Sequence, residues 1–290
     1  MPHTYNRNFR IRAYECDANG HLHSTNYLRF MQETAFDATA DAGYDWDRYN
    51  RLNRQWLIHE SYIKFKQPLF YNDLVQVKTW VTDFRKVTSR RAYEFTNQKD
   101  DSLVASGWSD WVFLDADSRR PARIPSELAD AFFPEGLPDS FPKREPFPKA
   151  PPPPNGVFKS HREVIFEDLD SMQHVNNARY LDYVNDCGFQ AIKHFGWPWQ
   201  RMQSEGNAIY LLDLHIEYLQ PALLGDQLEI ATWLSSVRRS TSIRHFTIQR
   251  VTDGELLVRI NAGSAWVDIH KGRPTRFPQQ MLEDFAPNIV

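Results

Sequence analysis

Apolar and polar positions along the chain fall into one pattern that is used twice. Between 24 and 42, apolar residues recur at helical spacing as Leu28, Met31, Ala35 and Ala38. Between 177 and 195 the same spacing carries Leu181, Val184, Gly188 and Ala191, so each stretch is predicted to be an amphipathic helix. Ser24 and Asn177 stand where an N-cap belongs, and Gly43 and Gly196 where each helix should stop. Before the helices, 9–16 and 158–168 alternate enough to be strands. After them come strand-like runs at 56–65, 74–84, 88–97 and 104–114, mirrored at 209–218, 228–236, 241–251 and 256–269. A long helix followed by an antiparallel sheet able to wrap it is an α+β unit.

The two halves keep register. Asp17, His21 and Tyr27 recur as Asp170, His174 and Tyr180, and 170 − 17, 174 − 21 and 180 − 27 all equal 153. The offset persists through Gly43 and Gly196, Gln67-Pro68 and Gln220-Pro221, Thr79-Trp80 and Thr232-Trp233, and Arg91 and Arg244. Trp111 finds its match in Trp266 at an offset of 155, which implies a two-residue shift in one hairpin, cancelled again by Pro121 and Pro274. Shared composition would not hold register this long, so the chain reads as a duplication. Its halves should pack as a pseudo-dimer, a homodimer fused into one chain. Nine of the 18 prolines lie between Pro134 and Pro154; such a segment favours extended polyproline structure and cannot join a central strand. The predicted organisation is a unit over 1–135, a proline-rich linker over 136–157 and a second unit over 158–290.

Composition narrows the class. With 290 residues, 41% hydrophobic and 24% charged, the chain has the make-up of a folded globular protein. A net charge of −3 makes no electrostatic case for nucleic acid or an anionic membrane. No apolar run reaches membrane-span length, and strand-like sequence within the first ten residues is expected to leave no transit peptide. Cys16 and Cys187 form no disulfide framework and no zinc spacing. The expectation is a reduced, cytoplasmic protein without metal or cofactor.

The chemistry concentrates at the start of each helix. Asp17, Asn19 and His21 form D-x-N-x-H; in the second half Asp170 and His174 remain while Met172 replaces the amide. A carboxylate beside an imidazole and an amide can activate water or attack a carbonyl. Helix-start N–H groups, near Ser24 in the first half, can hold the developing oxyanion. Asp, Asn and Ser at such a position also serve simply as caps. The stretch DANGHLHSTNYLRFMQETA resembles the signature of hotdog-fold acyl-CoA thioesterases of the 4-hydroxybenzoyl-CoA type, and DSMQHVNNARYLDYV resembles the acyl-ACP thioesterases, whose chain holds two hotdog units. The resemblance implies two tandem hotdog units and hydrolysis of an acyl-CoA or acyl-ACP thioester. By it, Asp17, Asn19 and His21 match catalytic positions, as do Asp170 and His174, with Ser24, Tyr27, Asn177 and Tyr180 as substrate-binding candidates. Pro68-Leu69 and Pro221-Ala222 stand where plant-type enzymes carry Glu-Cys, which points to an Asp-centred mechanism working from the first unit. The rival readings are a hotdog enoyl-thioester hydratase or dehydratase, disfavoured by the short motif without proline, and a non-catalytic acyl-thioester binder. Association into a homo-oligomer stays open.

Several other residues have plainer readings. Glu33 and Asp186 share a helix position and are expected to be solvated or paired, Glu33 with Arg29. Cys16, Cys187 and the tryptophans at 80, 111, 233 and 266 read as packing residues. His23 and His59 lack counterparts in the second half. Arg90, Arg91, Arg238, Arg239 and Arg244 are candidates for contact with phosphate groups, or else solvated strand-edge residues. No G-x-S-x-G elbow, phosphate-binding glycine loop or H-E-x-x-H occurs.

Overall fold

The computed structural model describes residues 2–290 and divides the chain into two compact units, 1–146 and 147–290. In the first, β1 (Thr4–Arg10), α1 (Ser24–Asp41) and α2 (Trp46–Leu52) precede β2 (Arg54–Phe65), β3 (Leu74–Phe84), β4 (Thr88–Asn97) and β5 (Ser102–Asp115), and α3 (Ser126–Phe132) closes it. The second repeats the series: β6 (Phe158–Glu163), α4 (Arg179–His194), α5 (Trp199–Ser204), β7 (Asn207–Tyr218), β8 (Gln227–Ser235), β9 (Thr241–Arg250), β10 (Leu256–Asp268), a short β11 (Arg273–Pro274) and α6 (Gln279–Phe285). The first unit's strands run in the order β1-β3-β4-β5-β2, the second's β6-β8-β9-β10-β7, all antiparallel.

Both long helices end two residues before a glycine at φ +83, Gly43 and Gly196, a left-handed conformation that glycine adopts without strain. Each start differs from expectation. The first helix begins at Ser24 with His23 at the cap position and no side-chain cap. The second begins at Arg179, because the Asn176 side chain accepts from the Ala178 N–H at 3.0 Å and holds 176–178 in a turn. The leading strands are also displaced: β1 ends at Arg10 and β6 at Glu163, and short 3-10 turns at Ala13–Glu15 and Phe166–Asp168 take up the rest.

The ladders overturn the tryptophan match. Ser89 faces Trp111 across β4 and β5, and Ser242 faces Ser264 across β9 and β10, so the offset stays at 153 and no hairpin is shifted. Ser264 is therefore the structural counterpart of Trp111, and Trp266 that of Phe113. The cores agree. Val81, Phe113, Ile124, Leu128 and Phe132 cluster in the first unit as Leu234, Trp266, Phe277, Met281 and Phe285 do in the second. Even a β-bulge is duplicated, with His59 the extra residue in β2 and Leu212 in β7.

The proline-rich stretch has no helix or strand, yet it is fastened down. In the first unit Arg144 pairs with two buried carboxylates, Asp83 and Asp110, the latter at 3.1 Å. In the second, Phe147 lies 4.7 Å from the His215 ring, and the Pro148 and Pro151 carbonyls accept from Asn261 and Trp233. Lost backbone donors matter little where the carbonyls and side chains do the binding. Trp233, Trp111 and Trp266 are buried, while Trp80 is only partly so.

Candidate active site

Each helix is preceded by a closed loop built the same way. A bridge between Cys16 and Leu22, and its copy between Leu169 and Val175, pinches off five residues. The Asp17 N–H donates to the His21 carbonyl at 2.7 Å and the Asp170 N–H to the His174 carbonyl at 3.0 Å. The tight turn needs positive φ, supplied by Gly20 (φ +80) and by Gln173 (φ +63). The loops are tied to the sheet: Leu22 N–H donates to the Leu69 carbonyl at 2.7 Å, and Val175 N–H to that of Ala222 at 3.0 Å.

Within the first loop, Asp17 Oδ1 accepts from the N–H groups of Asn19 (2.8 Å) and His21 (3.1 Å), an Asx turn. Its Oδ2 has no hydrogen-bond donor among the described residues. The His21 ring meets Phe70 edge-on at 5.2 Å. In the second loop, Asp170 Oδ1 accepts from Met172 N–H at 2.9 Å and lies 3.6 Å from Nδ1 of His174, which is 8% exposed. Acid and imidazole are thus brought together in the second loop, whereas in the first Asp17 is tied to the backbone of His21.

The other candidates separate. Tyr27 and Tyr180 are each 3% exposed. Tyr180 Oη accepts from the Ala222 N–H at 2.9 Å, and Tyr27 is bonded to the Leu69 backbone; burial first, then nearby acids, pushes both phenols far up. They hold the Pro68-Leu69 and Pro221-Ala222 straps against the helices. The recurrence of Gln-Pro followed by Asp73 or Asp226 marks those straps in the sequence, but not their contact with the tyrosines; each Asp braces its turn by accepting from Phe70 or Leu223 N–H. Ser24 opens α1. The Asn177 carbonyl accepts from Tyr218 at 3.0 Å, and its Nδ2 is buried without a partner.

The remaining candidates are ordinary. Burial, then Asp17, raises the Cys16 thiol, the reverse of nucleophile activation; burial raises Cys187 as well. Glu33 pairs with Arg7 rather than Arg29, Asp186 accepts from Gln190, and His23 sits at the α1 cap. Arg90 is clamped on Asp110 (2.6 and 2.8 Å) and stacked on Trp108, and Arg91 is 6% exposed, so neither is a solvated phosphate contact; Arg238 and Arg239 remain exposed. Among the described residues no three His, Cys, Asp or Glu side chains group as metal ligands, and no helix is long and apolar enough to cross a membrane.

Residues 2–132 match the model of the acyl-ACP thioesterase N-terminal domain, and residues 164–285 that of the thioesterase-like superfamily. Each unit thus matches a thioesterase model, and the two matches together cover most of the chain. Its fold is that of the 12:0-ACP thioesterase from Umbellularia californica (TM-score 0.74, 17% identity, covering 91% of this chain and 94% of that one). An acyl-ACP thioesterase from Bacteroides thetaiotaomicron gives 0.70 at 17%, covering 90% and 97%. Among curated relatives, an acyl-[acyl-carrier-protein] hydrolase of Cuphea viscosissima is 26% identical over 190 residues, 62% of this chain and 46% of its own. An oleoyl-acyl carrier protein thioesterase of Arabidopsis thaliana is 24% identical over 198 residues, 62% and 53%. The match to this double-hotdog chain spans about half the length of those relatives.

Proposed function

We propose that the protein hydrolyses an acyl thioester, acyl-ACP or acyl-CoA, to free acid and thiol, with Asp17 as the catalytic residue. The observation that carries this is the division of labour on Asp17: one oxygen is held by two backbone N–H groups, and the other meets no donor among the described residues. A carboxylate fixed in this way keeps a lone pair aimed outward, set to take a proton from water or to attack the thioester carbonyl itself. In the water route, the water oxygen bonds to the carbonyl carbon as its proton passes to Asp17. The tetrahedral oxyanion faces the first-turn N–H groups of α1 and then expels the thiolate, which takes up the proton. His21 and Asn19 position the thioester or water. The relatives' names, which specify acyl carrier protein, support the substrate class. In the second unit Asp170 Oδ1 already faces His174, and Met172 offers no amide, so that copy is assigned a lesser part.

The test is thiol release from saturated acyl-CoAs and acyl-ACPs of graded length by wild type, Asp17→Asn and Asp170→Asn, with an enoyl-CoA alongside. Loss of release in Asp17→Asn alone supports the assignment. Loss in Asp170→Asn alone moves the site to the second unit. Hydration of the enoyl thioester without thiol release would replace the hydrolase by a hydratase.

A further inference from the structure

The duplication left one position of the second unit hollow. Between α4, the sheet and the C-terminal helix α6 lies a cavity of about 110 Å³ whose walls include Val184, Gly188, Phe246, Met281 and Phe285. Phe189, at its edge, is half exposed, so the space is not sealed. Its origin is legible in the comparison with the first unit. There Trp111 is 7% exposed and packs edge-on against Phe36 of α1 at 6.3 Å; here the same register position holds Ser264 and the same helix position Phe189. Met31 and Ala35 on the inner helix face are likewise replaced by Val184 and Gly188. A Cβ on Gly188 would sit 3.5 Å from Phe246, so the missing methyl is space and not a close approach that forbids one.

Into this apolar cavity comes one charged side chain, Arg244 on β9. Its Nη1 reaches Thr232 Oγ1 at 3.4 Å, its guanidinium lies 5.9 Å from the Phe285 ring, and among the described residues no carboxylate pairs with it. Burial lowers its pKa to about 10, the direction expected of a cation that lacks an anion. A guanidinium presents a planar fork that matches a carboxylate, and the surrounding wall matches an alkyl chain.

We propose that the second unit binds a short- to medium-chain carboxylic acid in this cavity, carboxylate on Arg244 and tail along α4 and α6. The pocket stands on its own geometry. That the occupant is the released acid, making this a product-binding site separate from Asp17, rests on the hydrolase reading.

The probe pair is octanoate and 1-octanol, equal in tail and different in charge, titrated calorimetrically into the full chain. Wild type is expected to bind octanoate at least about ten-fold more tightly than octanol. Arg244→Gln should bring octanoate down to the octanol level, leaving octanol unchanged. Ser264→Trp, which restores the first unit's residue, should weaken both. If that bulky ring prevents folding, Val184→Met with Gly188→Ala reduces the same space with residues the first unit already carries. Equal binding of acid and alcohol by wild type, an acid preference that survives Arg244→Gln, or full binding by the filled variants would each overturn the proposal. Thiol release is measured in parallel. Octanoate binding without any thiol release refutes the hydrolase reading and leaves the pocket; release without octanoate binding does the opposite.

Discussion

Oδ1 of Asp170 lies 3.6 Å from Nδ1 of His174, whereas Oδ1 of its counterpart Asp17 is occupied by the backbone N–H groups of Asn19 and His21. Both acids are held by the main-chain N–H two residues on, at Asn19 and at Met172; the first loop adds a second N–H, that of His21, and the second loop the ring of His174. The contrast makes the Asp17 carboxylate separable into a structural oxygen and a chemical one.

Asp17→Asn keeps an oxygen that accepts from both N–H groups and removes only the charge. It is expected to melt within a few degrees of wild type while losing about 100-fold or more in thiol release. Asp17→Ala loses the turn as well and should cost about 1 kcal/mol further in urea unfolding. Similar activity in wild type and Asp17→Asn would remove Asp17 from the chemistry.

Tyr180→Phe deletes the acceptor of the buried Ala222 N–H. The expected cost is about 1 to 3 kcal/mol in stability, with KM for acyl thioesters unchanged. A raised KM with unchanged stability would return this tyrosine to the substrate-binding set.

A methyl on Gly107 would stand 2.3 Å from the Tyr62 carbonyl, so Gly107→Ala should destabilise by about 3 kcal/mol. Gly20→Ala meets open space and pays only for its positive φ, about 1 kcal/mol, as the glutamine at 173 already does. Chemical denaturation of the two variants should rank them in that order.

Arg144→Ala leaves Asp83 and Asp110, both nearly buried, with one cation fewer between them. A loss of about 2 to 3 kcal/mol is expected, together with faster proteolysis within the proline-rich segment. Unchanged cleavage would mean that other contacts hold that segment.

His245, 4% exposed, donates from Nδ1 to Asn261 and accepts from Ser235, and burial lowers its pKa from 6.5 although Asn261 opposes the shift. The unfolded chain then binds the proton more tightly, so this contribution to stability is complete above 6.5 and declines as pH falls through that value. Denaturation midpoints between pH 7 and 5 should slope less in His245→Gln than in wild type.

The chain by itself determined the duplication, the α+β make-up, both long helices and their glycine stops. All of these follow from local rules: apolar spacing, the φ freedom of glycine and the register of Asp, His and Gln-Pro. It also marked the two acidic loops, because an acid and an imidazole four residues apart recur where helices begin. The tertiary structure decided what depends on partners distant in sequence. Trp111 and Trp266 look like a pair, but hydrogen-bond ladders, which count residues across strands, place Ser264 at the position that Trp111 holds in the first unit, and the smaller side chain leaves the cavity. Arg90 and Arg244 read alike as strand arginines; one meets a carboxylate on the next strand and the other an apolar cavity. Tyr27 and Tyr180 were marked by their place in the motif, and only the return of the straps beneath them made them locks.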